Sequence, residues 1–217
     1  MKRSFDFLLA LIGLFISLPL WLLFGLAICL EDKGPIFYLQ ERVGKNGQIF
    51  KNIKFRSMVG DAEKNSGPVQ APEHDLRVTR VGKMLRVTAL DELPQLWNIL
   101  KGEMSFVGPR ALRPEEKEVE DNIPRSIFDY PDFKERIKVT PGLTGVAQVF
   151  APRDVSRQKK FKYDLWYIRN QSLSLDIYLI MLSFLVTFKA KWEIRKERFS
   201  YLANGLKQKI ENDITGL

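Results

Sequence analysis

The chain has 217 residues, 45% of them hydrophobic and 28% charged, with a net charge of +8. That size suits one globular domain with an appendage, and the composition excludes a disordered tail, a collagen-like rod and a disulfide-stapled secreted module. Cys29 and His74 are the single cysteine and histidine. They exclude an internal disulfide, CxxC zinc sites and histidine-rich zinc centres, leave acid–base work to Asp, Glu, Lys or Tyr, and make an oxygen-ligated ion such as Mg²⁺ the better metal.

Residues 7–30 form a run of 24 without a charge, preceded by Lys2 and Arg3. As a helix it measures roughly 36 Å, enough to cross a hydrocarbon core. A cleaved signal peptide is disfavoured, since the run is long and Leu30-Glu31-Asp32 offers no small-residue cleavage site. Pro19 interrupts the helical hydrogen bonding, and Ser17 is placed to satisfy a freed carbonyl. Positive residues flank both ends: Lys2 and Arg3 before the run, Lys33, Arg42, Lys45 and Lys51 after it. That fits a re-entrant hairpin with both ends in the cytoplasm, and it leaves a kinked span open.

Next comes a β-hairpin, with a strand over residues 36–39, a turn at Asn46-Gly47 and a second strand over residues 49–58. Alternation puts Ile49, Ile53 and Phe55 on one face and Asn52, Lys54 and Arg56 on the other. Residues 60–78 read as a loop. In the dense stretch 77–110, Leu93, Leu96, Trp97 and Leu100 make a helical apolar stripe. A second helix is expected from Pro114, its acidic run Glu115, Glu116, Glu118, Glu120 and Asp121 forming a solvated face. Residues 139–150 read as a turn followed by a short strand, and residues 151–163 as a basic stretch that is either a solvated loop or a grip for pyrophosphate or an anionic headgroup. Residues 173–188 carry one charge, Asp176. Too short to span, they predict a buried or interfacial helix. The following Lys189, Lys191, Trp192, Arg195, Lys196 and Arg198 suit a membrane surface, against the plainer alternative of a core helix followed by a solvated one.

The pair Asp91-Glu92 has two readings. Asp91 can cap a helix in which Glu92 is the first residue and Pro94 lies in the first turn, or Thr88 to Asp91 can form a capping box. Yet Lys54 and Arg56 share a strand face, and Arg86 and Arg110 flank the pair. Adjacent carboxylates among fixed cations fit phosphoryl transfer, one attacking phosphorus and its neighbour holding Mg²⁺ while guanidinium groups neutralise charge.

The quoted segments together resemble one family. GPIFYLQERVGKNGQIFKNIKFRSM at 34–58, DLRVTRVGKMLRVTALDELPQLWNILKGEMSFVGPR at 75–110, TPGLTGVAQV at 140–149 and YDLWYIRNQSLSLDIYLI at 163–180 are similar to the bacterial sugar transferases, the small monotopic polyprenyl-phosphate phosphoglycosyl transferases. The resemblance implies a helix-rich α/β fold: a re-entrant membrane anchor over residues 1–32, bent at Ser17 and Pro19, a catalytic domain over residues 33–190 with a small β-hairpin and interfacial helices, and a basic helical extension over residues 191–217. It also implies transfer of a sugar-1-phosphate from a UDP-sugar to undecaprenyl phosphate with release of UMP, on the cytoplasmic face of the bacterial inner membrane. The implied roles are Asp91 as nucleophile, Glu92 as Mg²⁺ ligand, and Lys54, Arg56, Arg86, Arg110, Arg153 and Asp164 around phosphate and nucleotide. Membrane lipids, downstream glycosyltransferases and a second copy of the chain are the implied partners.

The chain departs from the family pattern in three places. The bend reads Ser17-Leu18-Pro19 instead of an adjacent Ser-Pro; Ala111 replaces the second proline of GPRP; and VAQVFAPRD at 146–154 replaces WAQVNGRN, moving Arg153 by one residue. Two other classes compete. A non-catalytic membrane scaffold is opposed by the intact Asp91-Glu92 pair, and nucleic-acid binding rests on net charge alone, without a recognition motif.

Overall fold

The computed structural model describes residues 1–60, 75–120, 123–152, 155–188 and 195–215. Arg153 and His74 lie outside the described residues, as does most of the expected loop over 60–78.

The chain opens with α1, Lys2–Glu31, one helix of 30 residues that contains Pro19 and is therefore roughly 45 Å long. The expected break does not divide it. Pro19 has no N–H to give to the Phe15 carbonyl, and the Ser17 hydroxyl donates instead to the Leu14 carbonyl at 3.3 Å while accepting from Trp21 Nε1 at 3.2 Å. One face of α1 is buried through Asp6, Ala10, Ser17, Phe24 and Ile28. The opposite face exposes Leu11, Phe15, Leu22, Leu26 and Leu30. Both ends are bonded to the rest of the fold. Lys2 reaches Asp176 at 2.6 Å, and Glu31 accepts from the backbone N–H groups of Arg80 and Val81 at 2.6 and 2.9 Å.

The hairpin forms as the Asn-Gly signal requires. Strands β1, Phe37–Val43, and β2, Ile49–Phe55, pair antiparallel across a turn in which Asn46 and Gly47 both take positive φ. Register pairs Tyr38 with Lys54, Gln40 with Asn52 and Arg42 with Phe50. One face therefore carries Lys54, Asn52, Gln40 and Arg42. On the other face Phe55 packs with Phe24, Ile28 and Leu85.

Helix α2, Arg80–Thr88, follows, started by the Thr79 hydroxyl accepting from Gly82 N–H at 2.9 Å. Helix α3, Gln95–Lys101, bears out the expected stripe in part: Leu96 is buried and Leu93, before the helix, and Leu100 pack against the same core, but Trp97 is exposed and Ile99 is buried in its stead. Strand β3, Ser105–Val107, pairs in parallel with β6, Gly142–Thr144. The helix expected from Pro114 is absent. Strands β4, Lys117–Glu120, and β5, Ile123–Ser126, pair antiparallel there; in a helix Glu116 and Glu120 would repel at i,i+4. Helix α4, Pro131–Arg136, leads to β6, and α5, Val146–Phe150, takes up residues expected to be extended.

The main core joins α6, Arg157–Arg169, to α7, Leu173–Phe188, and α8, Arg195–Thr215, through Tyr163, Trp166, Leu179, Leu182, Ile210 and Ile214. Of α7, Asp176, Leu179 and Leu182 are buried, while Ile177, Met181 and Phe184 face outward. The chain is thus a helix-rich α/β fold with a long apolar first helix, a small antiparallel hairpin and a small parallel sheet.

Candidate active site

Asp91 and Glu92 lie on a single 3-10 turn, Leu90–Glu92, wedged between α2 and α3. Ala89 ends α2 in the left-handed region, at φ 55°, and its N–H bonds back to the carbonyls of Arg86 and Leu85. A residue with a Cβ is strained there. Neither capping role applies: α3 begins after Pro94, and no side chain caps the turn or the helix.

Cations converge on this turn. Lys54 Nζ donates to Glu92 Oε1, and the Glu92 side chain keeps 26% of its surface exposed. Burial pushes the Asp91 carboxyl up to about 6, against the pull of Lys54; Glu92 adds to the rise and Arg86 opposes it. Burial also raises Glu92, but Lys54 and Arg110 outweigh it and hold that carboxyl below the ordinary range. The two carboxyls are thereby pushed apart in acidity, a pattern typical of sites where adjacent acids take different tasks. Arg86 is oriented by its Nε–H, which donates to Ser57 Oγ at 2.8 Å.

Arg110 lines the same cleft as Lys54, Glu92, Gln95, Asn52 and Arg42. It follows a tight crossing in which Gly108 N–H donates to the Thr144 carbonyl and Gly142 N–H to the Pro109 carbonyl, each at 2.9 Å. A Cβ on Gly142 would stand 2.0 Å from the Gly108 nitrogen, so only glycine permits this approach. The carbonyls of Arg110 and Ala111 are each held by a buried arginine, Arg136 for the first and Arg42 for the second. The cleft narrows to a space of about 20 Å³, room for one water molecule or an ion.

The remaining sequence candidates are placed elsewhere. Arg56 is turned toward the end of α1, where it meets the Asp32 carbonyl and, at 3.4 Å, the Asp32 carboxylate. Asp164 is buried against Arg136 at 2.6 Å, both side chains no more than 5% exposed. It reaches the site only through Arg136 and the Arg110 carbonyl. Arg42, Gln95 and Asn52 were not singled out from the sequence. The strand alternation that groups Asn52 with Lys54, extended across the hairpin register, would have found Arg42.

Mg²⁺ usually takes one or two carboxylates and fills its shell with water and substrate phosphate. Among the described residues no three acidic, His or Cys side chains converge. The donors present do fit such an ion: Glu92 lines the cleft, and Asn52 Oδ1 is buried in it without a hydrogen-bond partner.

The bacterial sugar transferase family profile matches residues 1–190. The chain is 42% identical over 182 residues to the UDP-N-acetylgalactosamine-undecaprenyl-phosphate N-acetylgalactosaminephosphotransferase of Aeromonas hydrophila, covering 82% of this chain and 41% of that protein. It is 58% identical over 113 residues to a putative undecaprenyl-phosphate N-acetylgalactosaminyl 1-phosphate transferase of Bacillus subtilis, covering 52% and 63%. Similarity to the exopolysaccharide production protein ExoY of Sinorhizobium fredii is 39% over 193 residues, covering 82% and 81%. The chain therefore spans less than two thirds of the first two relatives and most of the third.

Proposed function

The chain belongs to the bacterial sugar transferase family, and from that premise we propose that it transfers a sugar-1-phosphate from a UDP-sugar to undecaprenyl phosphate, starting the assembly of an exopolysaccharide or related glycan. The observation that carries the reading is the Asp91-Glu92 turn, free of capping duty and ringed by Lys54, Arg86 and Arg110.

In the proposed reaction an Asp91 carboxylate oxygen attacks the phosphorus bonded to the sugar. The bond from that phosphorus to the bridging oxygen breaks, and UMP leaves with the electron pair. A phosphate oxygen of the polyprenyl carrier then attacks the same phosphorus and frees Asp91. Lys54 holds Glu92 ionised and draws down the Asp91 pKa; Arg86 and Arg110 offset charge on the phosphoryl oxygens. Mg²⁺, with Glu92 as its expected ligand, would neutralise diphosphate charge when bound.

The membrane is the proposed setting, with the catalytic body on its cytoplasmic face. The apolar face of α1 and the outward Met181 and Phe184 of α7 support lipid contact. Bonds from both ends of α1 to the same body, through Lys2 and Glu31, favour an undivided helix with both ends on one side of the membrane over a simple span. Labelling single cysteines near residues 2 and 32 in intact cells tests this, since a span leaves one end accessible from outside.

The reaction is tested by UMP release from purified protein with Mg²⁺, undecaprenyl phosphate and a panel of UDP-sugars. Release with one donor, abolished in Asp91→Asn, is expected. Wild-type-like turnover in Asp91→Asn overturns the nucleophile assignment, and no UMP from any donor with folded, lipid-bound protein returns the reading to a scaffold.

A further inference from the structure

Two buried arginines hold adjacent carbonyls beside the cleft, and only one of them is neutralised. Arg136 holds the Arg110 carbonyl and has its Nε–H on the Asp164 carboxylate at 2.6 Å, with the Phe161 ring 4.8 Å from its guanidinium carbon. Arg42 holds the Ala111 carbonyl through Nη1 at 2.9 Å and donates from Nη2 to Gln40 Oε1. Its Nε–H is buried without a hydrogen-bond partner. Arg42 is only 9% exposed, and it lines the cleft with Asn52, Lys54, Glu92 and Arg110.

The local charge balance is positive. Burial lowers the Arg42 pKa to about 10, and Arg110 and then Arg113 push the same way. Glu116 opposes them with a smaller effect, and its Oε1 already accepts from Arg157 at 2.9 Å. A guanidinium kept from water beside like charges is costly unless an anion joins it. Arg136, the neighbouring structural arginine, carries a carboxylate partner in Asp164, whereas the acceptors of Arg42 are neutral oxygens. The hairpin register places Arg42 on the strand face that presents Lys54, so an anion drawn to Lys54 and Arg110 lies along the row that ends at Arg42.

We propose that Arg42 is a substrate-binding residue that, together with Arg110, takes phosphate oxygens of the substrate in this cleft. The inference rests on the proposed reaction, which supplies two sources of that chemistry: the nucleotide phosphate and the phosphate of the lipid carrier.

The test is direct binding of UMP and of decaprenyl phosphate to the full-length protein in detergent, by titration calorimetry, for wild type, Arg42→Gln and Arg42→Lys, with thermal unfolding alongside. Losing a charge-assisted contact weakens binding by about tenfold to a hundredfold. Arg42→Gln is expected to weaken one probe by that factor, and Arg42→Lys to recover part of it. Weakened UMP assigns the contact to the nucleotide, and weakened decaprenyl phosphate assigns it to the carrier. Unchanged binding of both probes by Arg42→Gln overturns the proposal. So does equal loss in both variants accompanied by a lowered Tm, the sign of a structural role. If Arg42→Gln does not fold, Arg42→Lys decides alone: a weakened probe at wild-type Tm supports the contact, and unchanged binding refutes it. Binding needs no turnover, so this result stands apart from the Asp91 assignment. Wild-type protein that binds neither probe sinks the proposed function itself.

Discussion

Arg136 Nε meets Asp164 Oδ2 at 2.6 Å in the interior, with side chains 5% and 3% exposed, and the same guanidinium donates to the carbonyl of Arg110. A helix residue more than fifty positions away in sequence thus fixes the backbone from which Arg110 projects. Removing one partner leaves the other charge buried alone. Asp164→Asn is expected to cost about 3–5 kcal/mol of stability, read as a lowered Tm, while an Arg136→Met, Asp164→Leu double variant recovers most of that loss. Equal Tm values for wild type and Asp164→Asn would show that the pair is not holding the fold.

The acidity of Asp91 makes activity and stability pull in opposite directions. Its carboxyl is pushed up to about 6 by burial, so the proposed nucleophile becomes ionised only as pH passes that value. The acid limb of kcat/KM against pH should fall near 6. Lys54 is the largest influence opposing the rise, so Lys54→Met should move the limb to higher pH as well as lower the maximum. A limb left in place would remove Lys54 from the electrostatics of Asp91.

The same raised pKa has a linkage consequence. The folded protein holds the Asp91 proton more tightly than the unfolded chain, so this group lowers stability as pH rises from 3.8 through about 6. At pH 7.5 the ionised carboxylate is a liability for the fold. Asp91→Asn is therefore expected to raise Tm while abolishing UMP release, and a lowered Tm would contradict the assigned burial.

The crossing of β3 and β6 has no room for a side chain. A Cβ at Gly142 would stand 2.0 Å from the Gly108 nitrogen and 2.4 Å from the Thr144 oxygen. Gly142→Ala is expected to lose about 3 kcal/mol or more and to displace Arg110, whose backbone bridges to Gly142. Gly47→Ala is the contrast: it meets only Ile137 at 3.9 Å and is strained by its positive φ alone, so about 1 kcal/mol is expected.

Glu31 caps α2 from outside the helix. Burial raises its pKa, but bonds from the N–H groups of Val81 and Arg80 and from the Thr79 side chain together outweigh it and hold the carboxyl below 4.5. A depressed carboxyl contributes stability above its unfolded pKa and loses it as pH falls through the folded value. Glu31→Gln is expected to cost about 0.5–1 kcal/mol at neutral pH, the low end for an exposed cap. The difference from wild type should vanish in acid, which Tm measured across pH would check.

Much of this arrangement was legible in the sequence, for local reasons. Asn46-Gly47 announced the hairpin because both residues tolerate positive φ, and the Asp91-Glu92 pair drew notice because its cations are close in sequence or on a readable strand face. What stayed hidden depends on distant partners. Asp164 sits in a helix full of charges, and only the fold reveals that it faces Arg136. Arg56 alternates with Lys54 and yet turns to Asp32, the residue that ends α1, a partner distant in sequence. The parallel pairing of β3 and β6 joins segments too short, at three residues each, to show a period. Pro114 and the acids after it suggested a helix start by composition, whereas strands at 117–120 and 123–126 pair antiparallel.

The cap that Glu31 places on α2 also makes that helix a lever. Its nine residues span roughly 13 Å, from the end of the apolar helix to the left-handed Ala89 that delivers Asp91. Thr79 and Gly82 fasten the near end, and Gly82 lies too close to the Ser57 carbonyl for the rod to slide along the hairpin. In the proposed membrane setting, a shift in how deeply α1 sits would be passed along this rod to the turn that carries Asp91. Bilayer thickness would then act as a mechanical input to the chemistry.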